Sequence, residues 1–319
     1  MNRTALIVGA TGGIGSETAL ALVARGWKVR ALNRNPDEAS KRFASLGVDW
    51  VKGDAMNAED VVRAAEGVSV VVHAASPAGY RNWKGLALLM LESSIAAAKA
   101  AGARLMFPGN VYNFGLDALP LVSESSPQHP VTRKGKIRVE MEERLEAASR
   151  SGVAVLIVRA GDFFGVHAGS SWFSQGFVKP GKPLSSVSYP GDRDVGHAWA
   201  YLPDMAETIA LLLERDAELS SFEVFNFRGH WFPRGVELAE ATRAAAGKPA
   251  APIRGFPWFA IYLMAPFNET FREMLEMRYL WKTTLELDNG KLVRFLGREP
   301  HTALDVALRE TLKGLGVAA

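Results

Sequence analysis

The stretch "TALIVGATGGIGSETALALVARG", residues 4–26, decides the fold. It opens as a short apolar run, passes through four glycines between positions 9 and 15, and continues as an Ala/Leu-rich helical pattern closed by Gly26. Strand, glycine turn and helix in that order form the first half of a βαβ unit. Gly9, Gly12 and Gly15 fall in a G-x-x-G-x-x-G spacing. Glycines at such a junction permit a tight turn and let backbone N–H groups approach a pyrophosphate facing the helix N-terminus. An ordinary strand-to-helix turn has the same spacing. Position at the head of a βαβ unit is what favours a dinucleotide.

Outward from this turn, short apolar runs alternate with helical patterns. The runs are "KVRALNR" (28–34), "VDWVKGD" (48–54), "VSVVVHAAS" (68–76), "ARLMFPG" (103–109) and "VAVLIVRAG" (153–161). Between them lie Ala-rich segments such as "LMLESSIAAAKAAG", each ending in glycine as a helix C-cap does. Near-continuous apolar strands separated by helices predict a parallel sheet covered on both faces, the doubly wound α/β class. Past residue 161 the texture becomes rich in Gly, Ser, Pro and aromatics, and "FEVFNFRG" (222–229) reads as a strand returning to the sheet. The expected organisation is a dinucleotide-binding core over 1–160 and a smaller, partly interleaved substrate lobe over 161–319.

Composition narrows the function classes. Thirty-seven basic and 34 acidic residues leave a net charge of +3, too balanced to argue for nucleic acid, and no basic stripe with interleaved aromatics appears. The absence of cysteine excludes disulfides, thiolate metal sites and cysteine nucleophiles, and fits a cytoplasmic location. No H-x-x-x-H or H-E-x-x-H spacing suggests a metal. The apolar stretch "FPWFAIYLMAPF" (256–267) is too short to span a bilayer and reads as a buried helix or a lid over a pocket.

The second strand ends in Asn33 and Arg34, where an enzyme selecting NAD carries an acid for the ribose 2′-hydroxyl. Arg34 instead suits a 2′-phosphate, so NADP(H) is favoured over NAD(H). Asp54, ending the third strand, is placed to meet the adenine edge or to cap the next helix.

With these features the chain resembles the extended short-chain dehydrogenase/reductase superfamily, in its epimerase/dehydratase-like and atypical branches. The resemblance runs through the glycine turn, "GDAMNAED", "HAAS", "PGNVYNFG", "KIRVE", "LIVRAGDFFG", "YLPDMAETI" and "ELDNGKLVRFLGREP". It implies a Rossmann-type core. It also implies a cofactor set of Gly9, Thr11, Gly12, Gly13, Ile14, Gly15, Asn33, Arg34, Asp54, Ala55, Ala74, Ala75 and Lys136, a small-molecule substrate, and room for a homodimer.

In that family a Tyr-x-x-x-Lys pair and a nearby hydroxyl usually carry the reaction. Lys136 and Glu140 align with the family's lysine and downstream glutamate, which places the tyrosine position on Thr132 and the serine position on Pro108. Threonine is too weak an acid to replace tyrosine, so the catalytic candidates are Lys136, Asn110 and Tyr112, with His197 and Asp162 weighed as structural residues. Asn110 suits a hydrogen bond to a substrate carbonyl, and Tyr112 suits a proton donor or a packing residue. Three readings follow. The first is a reductase of a small apolar carbonyl, imine or activated double bond, with an aromatic pocket of Trp172, Phe173, Trp258 and Phe259. The others are a non-catalytic NADP(H) sensor and a sugar-nucleotide-type epimerase or dehydratase.

Overall fold

A computed structural model describes residues 3–77, 82–169 and 171–317. The elements, in order, are β1 (Thr4–Val8), α1 (Gly13–Ala24), β2 (Lys28–Asn33), α2 (Pro36–Arg42), β3 (Asp49–Lys52), α3 (Ala58–Ala64), β4 (Val70–His73) and α4 (Trp83–Ala101). They continue with β5 (Arg104–Asn110), β6 (Leu121–Val122), α5 (Arg133–Arg150), β7 (Val155–Ala160), β8 (Asp162–Phe164), β9 (Val187–Tyr189), β10 (His197–Tyr201) and α6 (Leu202–Glu214). The remainder are β11 (Phe222–Asn226), β12 (His230–Phe232), α7 (Val236–Ala245), β13 (Ile253–Gly255), α8 (Trp258–Met264), α9 (Glu269–Glu276), β14 (Glu286–Leu287), α10 (Gly290–Leu296) and α11 (Leu304–Gly314).

The sequence places one boundary near residue 160 with a strand at 222–229 returning to the sheet; the compact units alternate further along the chain. The first unit takes residues 1–110, 137–159 and 206–225, and the second takes 111–136, 160–205 and 226–319. Each returning segment supplies a sheet strand or a helix that the earlier segments lack, so chain order and spatial order differ.

The first unit holds a seven-stranded sheet in the order β11-β7-β5-β4-β1-β2-β3. Strands β1 and β2, β1 and β4, β2 and β3, and β4 and β5 pair in parallel. The strand order reverses between β1 and β4, the switch point at which doubly wound sheets bind ligands. β1 is buried along its whole length, as a central parallel strand must be. One core cluster joins Leu6, Val8, Val71, Leu91, Leu105, Leu145 and Ile157. A buried ion pair, Arg159 to Glu142 at 2.5 Å, fixes α5 against β7.

In the second unit, three short strands pair in the order β12-β10-β8, and β13 pairs with β9 and β14 with β6. Its core is aromatic: Phe164, Phe173, Phe177, Trp199, Trp258 and Trp281 pack in one cluster. This corrects the aromatic pocket. Phe173 is fully buried, and the Trp258 indole N–H donates to the Pro190 carbonyl at 2.8 Å. The stretch 256–267 also differs from a buried helix. α8 buries Trp258 and Ile261, three apart, while Phe259 and Phe267 are 76% and 85% exposed. Composition reports apolar content; only helical phase reports which face is covered. No helix among the described residues is long and apolar enough to cross a membrane.

Candidate functional site

The glycine turn of the first unit is set by close backbone approach. Gly9 has φ +99°, and a Cβ there would stand 2.6 Å from the Ala74 carbonyl carbon and the Ala75 nitrogen. Ala74 and Ala75 thus form a wall against which the turn lies, with the Ala74 N–H donating to the Val8 carbonyl at 2.9 Å. A Cβ on Gly15 would fall 2.2 Å from the Gly9 oxygen. Gly12 is the N-cap of α1 and offers no side chain to the first-turn N–H groups. Those of Gly13, Ile14 and Gly15 are left to face a ligand at the positive end of the helix dipole. Thr11 and Gly12 are exposed at the mouth. No acidic residue occupies the first turn to compete with an anion.

Beside this turn, where β2 and β3 end, a cleft of about 450 Å³ is lined by Arg34, Lys52, Gly53, Asp54, Asp60 and Arg63. The Asn33 side chain accepts the Asn35 N–H at 2.8 Å. Asp54 accepts the Met56 N–H at 3.0 Å, while its own N–H donates to Asp60 at 2.9 Å. That backbone donor, followed by Arg63 at 2.5 Å, lowers the Asp60 pKa below its ordinary range. The cap of α3 is Asn57, leaving Asp54 to line the cleft, and Ala55 packs at the edge of the core. Arg63 is therefore neutralised by Asp60, whereas Arg34 and Lys52 are exposed with no ion-pair partner among the described residues. Asn110 ends β5 at the carboxyl edge of the sheet.

His73, at the end of β4, is fully buried, and its Nδ1 pairs with Ser94 Oγ at 2.8 Å. Burial, with the Arg138 charge, pulls its pKa down to about 3, so the ring is neutral at pH 7. Glu140 is held by Lys84 at 2.9 Å and Arg144 at 2.7 Å.

In the second unit, Thr132 is 2% exposed and its Oγ1 accepts the Gly135 N–H at 2.9 Å. It is the side-chain cap of α5. Thr132, which the resemblance sets at the tyrosine position, thus has a local structural use. Four residues later, one turn along the helix, Lys136 is exposed, with no ion-pair partner among the described residues. Tyr112 packs against the cluster of Val111, Phe114, Val122 and Leu285.

The second unit joins two residues that the sequence offered only separately. His197 Nε2 lies 2.8 Å from Asp162 Oδ2, with both largely buried and the imidazole stacked on Trp281 at 4.2 Å and 9°. Gly161 makes the pairing possible, since a Cβ there would stand 2.3 Å from the Ala198 oxygen. The signal available in sequence was Gly161-Asp162 at the end of an apolar strand, but nothing in it indicated a partner 35 positions away.

Residues 9–164 match a family described as NAD(P)H-binding. A ketoreductase of Stigmatella aurantiaca, named for 4-hydroxy-2-methyl-3-oxo-4-farnesyl-3,4-dihydroquinoline-1-oxide, is 27% identical over 161 residues, which is 48% of each chain. An NmrA-like family domain-containing oxidoreductase, notA, of Aspergillus sp. (strain MF297-2) is 42% identical over 67 residues, 20% of each chain. The chain thus spans about half the length of the first curated relative and a fifth of the second. Among solved structures, UDP-glucuronic acid 4-epimerase from Bacillus cereus in complex with NAD superposes with a TM-score of 0.75 at 17% identity, covering 98% of both chains. The seven-stranded order and the glycine turn are those of a doubly wound α/β fold. Residues 9–164 are thus similar to an NAD(P)H-binding family, and the chain as a whole shares the fold of this epimerase.

Proposed function

We propose that the protein is an NADP(H)-dependent reductase of a small, apolar ketone or enone. The observation that carries the cofactor choice is the pair Arg34 and Lys52, two exposed cations without ion-pair partners in one cleft beside the glycine turn. The last residue of β2 is Asn33, not an acid, and of the two carboxylates in the cleft Asp60 is paired with Arg63. A charged hydrogen bond to a 2′-phosphate is worth about 1.5–3 kcal/mol, or one to two decades in affinity. The family match and the ketoreductase relative support reduction, and that relative's named compound suggests a ketone in a ring fused to an aromatic one.

When bound, the dinucleotide supplies the hydride. Lys136 has no competing carboxylate, since Glu140 is taken by Lys84 and Arg144. In this reading Lys136 is the group that gives a proton to the substrate's carbonyl oxygen. Asn110, at the carboxyl edge of the first unit's sheet, is the candidate to orient a substrate carbonyl by its amide. Tyr112 serves packing, and Thr132 caps the helix that carries Lys136. The His197–Asp162 pair, an imidazole oriented by a carboxylate, is the second source of a proton.

The test is NADPH consumption by the full chain over a panel of bicyclic aryl ketones, simple ketones and enones, with products identified by mass. Substrate-dependent oxidation with a product two mass units heavier supports the reading. A silent panel, with NADPH nonetheless bound, turns it toward the sensor. Among active substrates, His197→Gln and Lys136→Met distinguish the two proton sources by which abolishes kcat.

A further inference from the structure

The geometry points to a divalent transition-metal site in the second unit, built from Asp204, His230 and His301. One ring nitrogen of each histidine and one carboxylate oxygen of Asp204 all lie within 4.8 Å of one another. These residues come from the first turn of α6, the start of β12 and the segment just before α11, so a bound ion would tie three separate elements of that unit together. The site is independent of the dinucleotide reading.

Three observations separate this cluster from a chance meeting of polar residues. His230 is 6% exposed, and its Nε2 is buried without a hydrogen-bonding partner in the protein. A buried polar nitrogen left unpaired costs about 1–3 kcal/mol, and coordination is the other use a buried imidazole nitrogen has. Next, the two imidazole centroids are 4.3 Å apart, which sets both rings at one point, and Phe164 meets His230 edge-on at 5.6 Å, fixing its plane. Finally, the carboxylate is already oriented. Thr302 donates to Asp204 through its backbone N–H at 2.7 Å and its hydroxyl at 2.6 Å. Ligating carboxylates are typically held by such outer hydrogen bonds.

Zinc bound by nitrogen and oxygen at about 2.0–2.2 Å sets its donors about 3.3–3.6 Å apart. Contraction from 4.8 Å is therefore modest, and His301, exposed at the head of α11, is the ligand free to swing. Two imidazoles and one carboxylate suit Zn²⁺ or a neighbouring transition ion; Mg²⁺ and Ca²⁺ prefer all-oxygen shells. Water completes the coordination. The ion satisfies the buried imidazole and adds stability to the second unit by binding its folded form alone.

The experiment uses the tag-free full chain, stripped with chelator and titrated calorimetrically with Zn²⁺, with Co²⁺ as a spectroscopic probe and Mg²⁺ as the control. Wild type is expected to bind one equivalent of Zn²⁺ and of Co²⁺, with visible cobalt bands, a rise in Tm and no response to Mg²⁺. His301→Ala, a change at an exposed position, should keep its far-UV spectrum and lose binding by at least about a hundredfold. Thr302→Val should weaken it by about tenfold. Absence of binding by wild type overturns the site, as does equal affinity in wild type and His301→Ala.

Discussion

At the glycine turn the protein presents backbone; in the C-terminal unit it presents side chains. Gly9 and Gly15 work by having nothing beyond Cα, because any Cβ would enter the backbone of Ala74 or Gly9 itself. His197 with Asp162, and Asp204 with His230 and His301, work by having functional groups brought together across 26 to 97 positions of chain. The first region fails when an atom is added and the second when one is removed. That difference says where each is vulnerable and what in a sequence announces it.

The largest effect should follow from adding a single methyl at the turn. Gly9→Ala puts a side chain at φ +99° and at 2.6 Å from two backbone atoms, combining a strain of about 1–3 kcal/mol with a clash that only backbone movement can relieve. NADPH binding should vanish in a calorimetric titration, with a lowered Tm. Wild-type affinity in this variant would break the contrast. Next in size, Lys136→Met should cut kcat by at least about a hundredfold in the NADPH assay while leaving Tm near that of the wild type, because the side chain is exposed. A large fall in Tm would recast Lys136 as structural.

Legibility followed the same division. The turn, strands β1 to β5, β7 and β11 could be read because local spacing and apolar runs fix them. The resemblance sets Thr132 at the tyrosine position, but that placement did not say what the residue does. A threonine three residues before Gly135 is a capping signal that the comparison with a catalytic motif obscured. Trp172, Phe173 and Trp258 were read as pocket because aromatic content does not distinguish a lining from a core; the T-shaped packing of Trp172 on Trp281 at 5.3 Å does. His197 was weighed without Asp162 as its partner, and Asp204, His230 and His301 share no spacing pattern. Such constellations exist only after the chain has folded.

The buried histidines sharpen the comparison through pH. His73 and His230 have folded pKa values of about 3 and about 4, against 6.5 in the unfolded chain, both mainly through burial. The unfolded state therefore binds more protons below pH 6.5. The stability these neutral rings retain is complete above that pH and falls as the medium is acidified toward 4 and then 3. The slope reaches about 1.4 kcal/mol per pH unit for each histidine. Urea unfolding at pH 7, 5.5 and 4.5, in wild type and His73→Asn, measures it; a slope unchanged by the substitution would remove His73 from the account. The smallest effect belongs to Thr132→Ala, which loses the α5 cap and should cost about 1 kcal/mol with kcat unchanged. Thermal unfolding beside the turnover assay would show this, and a collapse of kcat without loss of stability would return Thr132 to catalysis.

The central claim is that cations without partners at the end of β2 and β3 select the phosphorylated dinucleotide. Calorimetric titration of NADPH and NADH into wild type and Arg34→Ala tests it directly. The account predicts that wild type binds NADPH one to two decades more tightly than NADH, and that Arg34→Ala removes most of the gap by weakening NADPH alone. Equal affinities in the wild type, or a preference untouched by the substitution, would contradict it.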